Sequence, residues 1–479
     1  MSTVIPNDER KLTRLPRNLT QWKAYLSPEP IPPDMNTKVA RKEIYALALP
    51  TLAELILTAL TGMVDTIMVS RIGTAAIASI NLTSQPKLLL NACFVAFNAG
   101  ATAMIARFKG SGDAQMANKT LHQCVFVTIL VSIIVSIVGF FLAEDMMRFM
   151  GAIPGETLEL STQYLQIQML GIGSMTLTTA FTAGLRAIGR TRISLYYHLG
   201  SNAVNIVFNY FLINGKCGFP RLEVAGAGIA TVLGQITAML IAAYVLFRGT
   251  DILKLTFKRL FVVDFDVIRR LLRIGLPAMG EQLVSRLGMI LFTKVVASLG
   301  TNAVATHSIC NSIQSLTFNI NQAFGVAITT LVGQALGRKR LDEAKAMVRL
   351  TRQIGFVLAV VVGICLFLLR NPLMRCYTQD MELISAGMDI LIMIALIQPM
   401  QSSQYIYNGA LRGAGDTRST MIVMFVGMLI VRPIFGYLFA YPLGLGLFGA
   451  WCAFALDQTT RSAASMYRYK LGKWMYMRI

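Results

Sequence analysis

The chain reads VFVTILVSIIVSIVGFFL over residues 125–142, a run without a charged side chain. A helix needs about 20 predominantly apolar residues to cross the hydrocarbon layer of a bilayer, so this run predicts a membrane span. Further apolar runs lie at residues 230–247, 354–369 and 421–441, and the last of them contains one charged residue, Arg432. Only 14% of the 479 residues are charged, against about 25% in soluble domains. The sequence therefore predicts an all-α membrane protein.

Twelve membrane helices account for the apolar blocks along the chain. The predicted spans of the first half are residues 44–70, 84–107, 120–142, 160–185, 193–213 and 226–247. Those of the second half are residues 271–298, 303–334, 348–369, 384–411, 419–440 and 447–468. An even number of spans leaves both termini on the same side of the membrane.

The 44 Lys and Arg residues are divided unequally between the two sides of this topology. With a cytoplasmic N-terminus, 34 of them, Arg461 included, fall on the cytoplasmic side, and Arg286, Lys294 and Arg432 fall inside spans. The seven assigned to the outer side are Arg71, Lys87, Arg148, Lys216, Arg221, Arg370 and Arg375. Membrane proteins show this excess on the inside. The net charge of +20 therefore indicates orientation in an inner (plasma) membrane with both termini cytoplasmic, and not nucleic-acid binding.

The two halves of the chain resemble each other. A shift of 227 residues aligns Leu49-Pro50 with Leu276-Pro277, and it aligns Glu54 with Glu281. Later in each half, the pattern Leu-Arg-x-x-Gly-x-Thr-Arg begins at Leu185 and again at Leu411. Matches of Pro, Glu, Gly and Arg at a nearly constant offset predict an internal duplication.

Two parallel six-helix repeats are related by an axis along the membrane normal, an arrangement found in transporters. We therefore predict two lobes around a central cleft. The predicted segments are an N-terminal cytoplasmic tail (1–40), an N-lobe (41–250), a linker (251–270), a C-lobe (271–470) and a C-terminal tail (471–479). Basic and apolar residues alternate over residues 9–26, which leaves open a helix on the inner leaflet or a disordered tail.

Several motifs resemble those of the multidrug and toxic compound extrusion (MATE) family. The first is Ala48-Leu49-Pro50-Thr51-Leu52-Ala53-Glu54, followed by Met63-Val64-Asp65-Thr66-Ile67-Met68-Val69-Ser70. The second is Leu336-Gly337-Arg338-Lys339-Arg340-Leu341-Asp342-Glu343-Ala344 after the eighth span, and the third is the pair of Leu-Arg-x-x-Gly loops. The resemblance covers the chain from about residue 41. It implies a MATE-like fold and a secondary antiporter that expels organic, often cationic, compounds with a proton or sodium gradient.

Ionisable side chains inside a span are costly and are therefore functional candidates. In the first span Glu54 and Asp65 are eleven residues apart, which places them roughly 20° apart around the helix and about 16 Å apart along it. In the fifth span Asn202, Asn205 and Asn209 are three and four residues apart and share one face. Hydrogen bonding between helices is the alternative role for this face.

The resemblance implies an ion site in the first lobe, formed by Asp65, Asn205, Asn209 and Thr231. Many relatives carry a second carboxylate where this chain has Asn209. One carboxylate fewer weakens the coordination of a metal cation and leaves Asp65 as the sole titrating group. We therefore favour proton coupling, with a Na⁺ ion at Asp65 as the alternative.

Glu281 in the seventh span matches Glu54 across the repeat and is a further candidate for ion coupling. Other branches of the family carry an essential Glu four residues further along, where this chain has Ser285. The alternatives for Glu281 are a buried ion pair with Arg286 or Lys294, or a gate formed with Glu54.

Amides and one aromatic residue are the candidates for binding substrate. Such side chains in an otherwise apolar cleft suit amphipathic organic molecules. The candidates are Asn202, Gln282, Gln314, Gln401, Gln404 and Tyr405.

Other polar residues in the spans are predicted to be structural. Arg432 and Asp457 lie on neighbouring helices and can form an internal ion pair. His122, His198 and His307 stand alone in the sequence and are interpreted as structural side chains.

The seven cysteines show no metal-ligand spacing, and no cofactor motif is present. Cys217 and Cys376 fall in predicted outer loops and could pair, but free thiols are favoured. We predict no cofactor other than the coupling ion.

The leading hypothesis is a monomeric antiporter that exports amphipathic, cationic organic compounds by alternating access and is not an enzyme. Its partners are a small organic substrate, a coupling ion and the lipid bilayer. The alternatives are a flippase of lipid-linked sugars, which would need several arginines to hold pyrophosphate, and a membrane-embedded transferase, which would need clustered Asp or His.

Overall fold

The computed structural model describes residues 31–70, 72–216 and 218–477, without the side chains of Ser70 and Thr74. Within these ranges there are twelve long helices and no strand. The first six are α1 (Thr37–Ser70), α2 (Thr74–Gly110), α3 (Ala114–Phe141), α4 (Glu156–Ala187), α5 (Thr191–Asn214) and α6 (Glu223–Arg248). The second six are α7 (Phe265–Ala297), α8 (Thr301–Gly337), α9 (Leu341–Arg375), α10 (Met381–Gly413), α11 (Thr417–Ala440) and α12 (Gly446–Lys470). The predicted number of long helices is confirmed.

Three shorter helical segments complete the described chain. They are the helices Ala143–Phe149 and Phe257–Leu260 and the 3₁₀ turn Lys473–Tyr476. Helix α11 also contains one π-helical stretch, Val426–Val431, just before Arg432 and Pro433.

Seven of the described helices are long and apolar enough to cross a membrane on length and composition alone: α1, α2, α3, α6, α9, α10 and α11. The others carry more polar side chains, and many of these are buried. In α12, for example, Asp457, Gln458 and Arg461 are all buried. Polar groups that pair inside the protein lower the hydropathy of a helix without exposing charge to lipid.

The packing of the helices repeats between the two halves. In the first half α4 packs against α2, α3 and α6, and α5 packs against α6. In the second half α10 packs against α8, α9 and α12, and α11 packs against α12. The fourth helix is thus the centre of each six-helix repeat.

The turns that follow the central helices also correspond. Gly189 after α4 has a φ of 84°, and Gly415 after α10 has a φ of 87°. A side chain at either position would be strained in this left-handed conformation. This explains why glycine stands at the same place in both Leu-Arg-x-x-Gly patterns.

The chain forms two compact units. The N-unit is Tyr45–Leu283, and the C-unit is Val284–Ile479 together with the described residues up to Ile44. The predicted lobes (41–250 and 271–470) have other bounds and stay predictions. The core of the N-unit includes Leu121, Leu165 and Leu185, and that of the C-unit includes Trp451 and Leu391.

The predicted linker is held against the start of α3. Asn118 donates from Nδ2 to the carbonyl oxygen of Ile252 at 2.7 Å, and Gln123 donates from Nε2 to that of Val262 at 2.6 Å. Nε2 of His122 lies 3.0 Å from the backbone nitrogen of Thr256, which donates to it.

An ion pair closes the same contact. Lys119 pairs with Asp264, and the hydrogen bond from Lys119 holds the pKa of this carboxyl below its ordinary value. The segment after α6 is therefore an ordered part of the N-unit and not a free connection.

Two predictions lie outside the described residues. These are the helical or disordered character of residues 9–26 and any disulfide that involves Cys217. The other six cysteines, Cys376 included, carry free thiols.

Candidate ion-coupling site and neighbouring polar clusters

A chain of hydrogen bonds connects the four residues that were proposed as the ion site. Asn209 donates from Nδ2 to Oδ1 of Asp65 at 2.6 Å and to Oδ1 of Asn205 at 3.3 Å. Asn205 in turn donates from Nδ2 to Oγ1 of Thr231 at 3.4 Å. The structure thus brings Asp65 of α1, both asparagines of α5 and Thr231 of α6 together. We call this chain the Asp65 cluster.

Close packing of α5 on α6 builds the cluster. Ser201 donates from Oγ to the carbonyl oxygen of Gly234 at 2.7 Å. A Cβ atom on Gly234 would lie only 2.8 Å from the carbonyl oxygen of Ser201. Asn205 and Asn209 lie one and two turns further along α5 and are almost fully buried. The small residue on α6 therefore lets the asparagine face approach Thr231.

The structure corrects the predicted position of Lys87. It was assigned to the outer side, but it lies inside α2, directly after Pro86. There it interacts electrostatically with Asp65 and lines a small cavity with Gln168 and Gln235. The predicted second span (84–107) already contained this residue, but close to its outer end, so its charge was counted with the outer side. The observed helix starts ten residues earlier, at Thr74, and places Lys87 well inside it.

Tyr164 was also missed. Its side chain is buried in α4 and is hydrogen bonded to Thr231. A tyrosine within an apolar helix carries no signal by itself, because the ring alone explains its burial. Tyr164 extends the Asp65 cluster to a fourth helix.

Glu54 belongs to a different cluster. Its Oε1 accepts a hydrogen bond from Nη2 of Arg186 at 2.8 Å and lies 3.1 Å from Nε2 of His198, and its Oε2 accepts one from Oγ of Ser194 at 3.0 Å. None of these partners contacts Asp65 in the described hydrogen bonds. His198 stands alone in the sequence but contacts Glu54 in the structure, and its structural role stays a prediction. The contacts with Arg186 give Glu54 a structural role, while its predicted part in ion coupling remains a prediction.

The polar residues of α7 are placed separately. Glu281 is 1% exposed. Arg286 and Lys294 form no ion pair with any described residue, so the predicted pairing with Glu281 is not seen. Gln282 is half-buried and has no hydrogen-bond partner among the described residues.

The side-chain amides of the C-unit that are predicted to bind substrate are buried, and their oxygen atoms lack described hydrogen-bond partners. Gln314, Gln401 and Gln404 are at most 6% exposed, and the side-chain oxygen of each has no described hydrogen-bond partner. Tyr405 packs edge-on against Phe318, with ring centroids 5.3 Å apart. In the N-unit, Nδ2 of Asn202 is likewise buried without a described partner.

The predicted ion pair of Arg432 and Asp457 is confirmed, and a third member joins it. Arg432 donates to Oδ2 of Asp457 from Nε at 2.9 Å and from Nη2 at 2.6 Å. Arg461 donates to the same carboxylate from Nε at 2.8 Å and from Nη2 at 2.8 Å. Arg461 had been counted among the cytoplasmic residues. That assignment is wrong, because Arg461 is 4% exposed and lies one turn from Asp457 on α12.

The family model for MatE matches residues 50–211 and matches again at residues 277–438. The chain belongs to the MatE family. The two matches are displaced by 227 residues, the same shift that aligns the halves of the sequence. The duplication is therefore confirmed, with each match lying in one six-helix repeat.

Relatives extend over nearly the whole MatE chain. The "Probable multidrug resistance protein NorM" of Thermotoga maritima is 30% identical over 95% of this chain and 96% of its own length. The "Uncharacterized transporter YisQ" of Bacillus subtilis is 27% identical over 90% of this chain and 94% of its own length.

A solved structure shows the fold of this MatE chain. Its title describes the outward-facing conformation of a multidrug resistance MATE family transporter. It superposes with a TM-score of 0.85 at 21% identity, over 92% of this chain and 97% of the other. At this identity the likeness shows the fold alone, which is the predicted MATE fold. The family match and the apolar helices support a multi-pass membrane protein. The family and the named relatives are transporters, which fits the prediction of a transporter.

Proposed function

We propose that this MatE protein exports amphipathic, cationic organic compounds as an antiporter, in exchange for protons. The observation that carries the proposal is the Asp65 cluster, a carboxylate held by buried amides inside an apolar unit. The relatives named for multidrug resistance support the choice of substrate. The positive-inside distribution supports a cytoplasmic membrane with both termini inside. The active form is proposed to be a monomer.

Asp65 can act as the coupling group because few described groups stabilise the negative charge of its carboxylate. Asn209 donates to one carboxylate oxygen, and Lys87 supplies a nearby positive charge. Binding of a proton at Asp65 removes one charge from the interior of the N-unit and leaves Lys87 without its counter-charge. The two protonation states therefore differ in electrostatic free energy, and each favours a different arrangement of the helices around it.

Exchange requires that binding of the proton lowers the affinity for the substrate, and that binding of the substrate lowers the affinity for the proton. If protonation of Asp65 lowers the affinity for a cationic substrate, substrate binding must lower the affinity for the proton by the same factor. A proton entering from outside then releases substrate there, and a substrate bound from the cytoplasm returns the proton inside. The buried amides Gln314, Gln401 and Gln404 are proposed to contact the substrate.

Protons are favoured over sodium by the composition of the cluster. Sodium would need several oxygen ligands, as hard cations do, but Asp65 is the only carboxylate of the Asp65 cluster. The positive charge of Lys87 would also repel a sodium ion bound at Asp65. The buried Oδ1 of Asn209, which has no described partner, is the feature that sodium could use.

The test is efflux of a fluorescent organic cation from liposomes that contain the full chain. A proton gradient and a sodium gradient are imposed separately. We expect the proton gradient alone to drive efflux, and Asp65→Asn to abolish it at matched protein content. Asp145→Asn, which removes an exposed carboxylate outside the cluster, is the control and should transport normally. Wild-type rates in Asp65→Asn would remove Asp65 from the mechanism, and dependence on sodium alone would replace the proton.

A further inference from the structure

The C-unit buries one more positive charge than negative charge at a single place. Arg432 and Arg461 share the carboxylate of Asp457. All three residues are at most 5% exposed. The three side chains therefore carry a formal charge of +1. An uncompensated charge away from water is unfavourable, so this position favours a further anionic group.

Arg432 is the cation that has donors to spare. Arg461 uses its Nη1 toward the sulfur of Met424 at 3.4 Å, and its Nη2 also bonds Gln458. Among the described residues, Arg432 donates hydrogen bonds to Asp457 alone, through Nε and Nη2. Its Nη1 donates to no described residue. A bound hydrogen-bond acceptor would therefore accept from the N–H groups of Arg432.

The indole N–H of Trp451 is a second hydrogen-bond donor without a described acceptor near Arg432. Trp451 is 1% exposed, and its Nε1–H has no described hydrogen-bond partner. Its ring packs on Phe454 with centroids 5.1 Å apart. The guanidinium of Arg432 lies 4.4 Å from the centroid of the same Phe454 ring. A buried indole N–H is rarely left unpaired, so Trp451 points independently to a missing acceptor.

Two further rings, those of His307 and Phe292, lie beside Trp451 and Arg432. His307 packs on Trp451 with centroids 5.5 Å apart and on Phe292 with centroids 5.6 Å apart. Arg432 also lies 5.6 Å from the centroid of Phe292. Nδ1 of His307 is buried without a described partner. These rings can stack on an aromatic ligand, while the polar atoms beside them are mainly donors.

We propose that the Arg432 cluster (Arg432, Asp457, Arg461, Trp451, Phe454 and His307) binds the carboxylate of an aromatic organic acid. A single negative charge matches the formal charge of +1, and a planar carboxylate accepts from a guanidinium and an indole N–H together. The inference rests on the proposed transport function, because it adds aromatic acids or zwitterions to the substrates that the protein carries. A metal cation or an organic cation is excluded from this cluster by its charge.

The test is direct binding of radiolabelled benzoate to the purified full chain in nanodiscs, in chloride-free buffer. We expect saturable binding that cyclohexanecarboxylate weakens only at higher concentration and that benzylamine does not weaken. Arg432→Gln should lower the affinity about a hundredfold, since it removes the buried charge partner. Trp451→Phe keeps the aromatic ring and should lower the affinity about tenfold, the usual effect of losing one hydrogen bond to a charged group.

The control is Arg370→Gln. Arg370 is a partly exposed arginine of the same unit that lies 4.5 Å from the centroid of the Phe367 ring, and its loss should leave benzoate binding unchanged. If Arg432→Gln does not fold, Arg432→Lys and Trp451→Phe decide, and both should bind more weakly than wild type. Wild-type affinity in Trp451→Phe, equal competition by benzylamine, or saturation by chloride alone would each overturn the proposal.

Failure of this inference is distinguishable from failure of the proposed function. Absence of benzoate binding in a protein that still exports an organic cation would end the inference alone. Benzoate binding in a protein that shows no proton-driven efflux would end the proposed antiport alone.

Discussion

At the scale of single residues, Asn209 decides which ion the Asp65 cluster can hold. Replacement by Asp places a second carboxylate beside Asp65, in the position that donates a hydrogen bond at 2.6 Å in the native chain. A second carboxylate raises the affinity for a metal cation. We expect efflux by Asn209→Asp to become stimulated by an inward sodium gradient.

The matched control is Asn202→Asp, the same change two turns earlier on the asparagine face of α5. Asn202 has no described hydrogen bond to Asp65, so this variant should remain insensitive to sodium. Sodium stimulation of both variants, or of neither, would argue against Asn209 as the residue that selects the ion.

Glu54 is expected to contribute to stability. Glu54→Gln leaves the guanidinium of Arg186 without its carboxylate partner in a site where the two side chains are 8% and 17% exposed. Removing one partner of a buried pair costs roughly 3 kcal/mol. Thermal unfolding in detergent should show this loss, and the double variant Glu54→Gln/Arg186→Met should recover most of it.

An exposed ion pair gives the comparison. Glu144 and Arg148 pair at 2.6 Å with side chains more than half exposed, so Glu144→Gln should change stability by less than about 1 kcal/mol. Equal melting temperatures for Glu54→Gln and wild type would show that the Glu54 contacts are weak.

The residues of the first-lobe site could be found from the sequence, but their partners could not. Helical spacing places Asn205 and Asn209 on one face of the fifth span, while the family resemblance implies that they form one site with Asp65 and Thr231. Lys87 was misplaced because hydropathy marks the apolar centre of a helix and not its first turns. The structure starts α2 at Thr74, which moves Lys87 from the membrane surface into the protein.

Arg461 shows the same difficulty at the other end of a span. A window average treats a charge near the end of a helix as solvated, while the structure buries it against Asp457. The number and order of the long helices were predictable, because they depend on whole apolar blocks. Side-chain pairs between helices were not, because they depend on rotation of each helix about its axis.

At the scale of elements, the π-helical stretch of α11 is packed against the charged network. A Cβ atom on Gly427, which lies in this stretch, would meet Oδ1 of Asp457 at 2.3 Å and Cγ of Arg461 at 2.4 Å. Overpacking of this kind costs about 1–3 kcal/mol. We expect Gly427→Ala to lower the melting temperature in detergent and to weaken benzoate binding, because it displaces Asp457 and Arg461.

Gly436 on the same element provides the control. A Cβ there would meet Phe292 at 3.7 Å, which is an ordinary contact. Alanine is favoured over glycine in a helix by about 1 kcal/mol, so Gly436→Ala should be neutral or stabilising. A neutral Gly427→Ala variant would mean that the network can move away from α11 at little cost.

At the scale of the whole molecule, the duplication and the distribution of charge together predict the topology. Each MatE match lies in a repeat of six helices, so both repeats enter the membrane from the same side. The positive-inside rule places the turn after α2 in the cytoplasm and the end of α9 outside. Moving Lys87 from the outer side into α2 makes the asymmetry larger.

Thiol labelling can check this topology in intact cells. The background is a full chain in which Cys217 and Cys376 are replaced by Ser. Restoring the exposed Cys376 at the end of α9 should give labelling by a membrane-impermeant maleimide without permeabilisation. Ser111→Cys, at the exposed turn after α2, should be labelled only after the membrane is opened. The reverse labelling pattern would mean that the whole chain is inserted the other way round. Both repeats would be inverted together, because equivalent loops of the two repeats are six helices apart. Protons would then have to reach Asp65 from the cytoplasm.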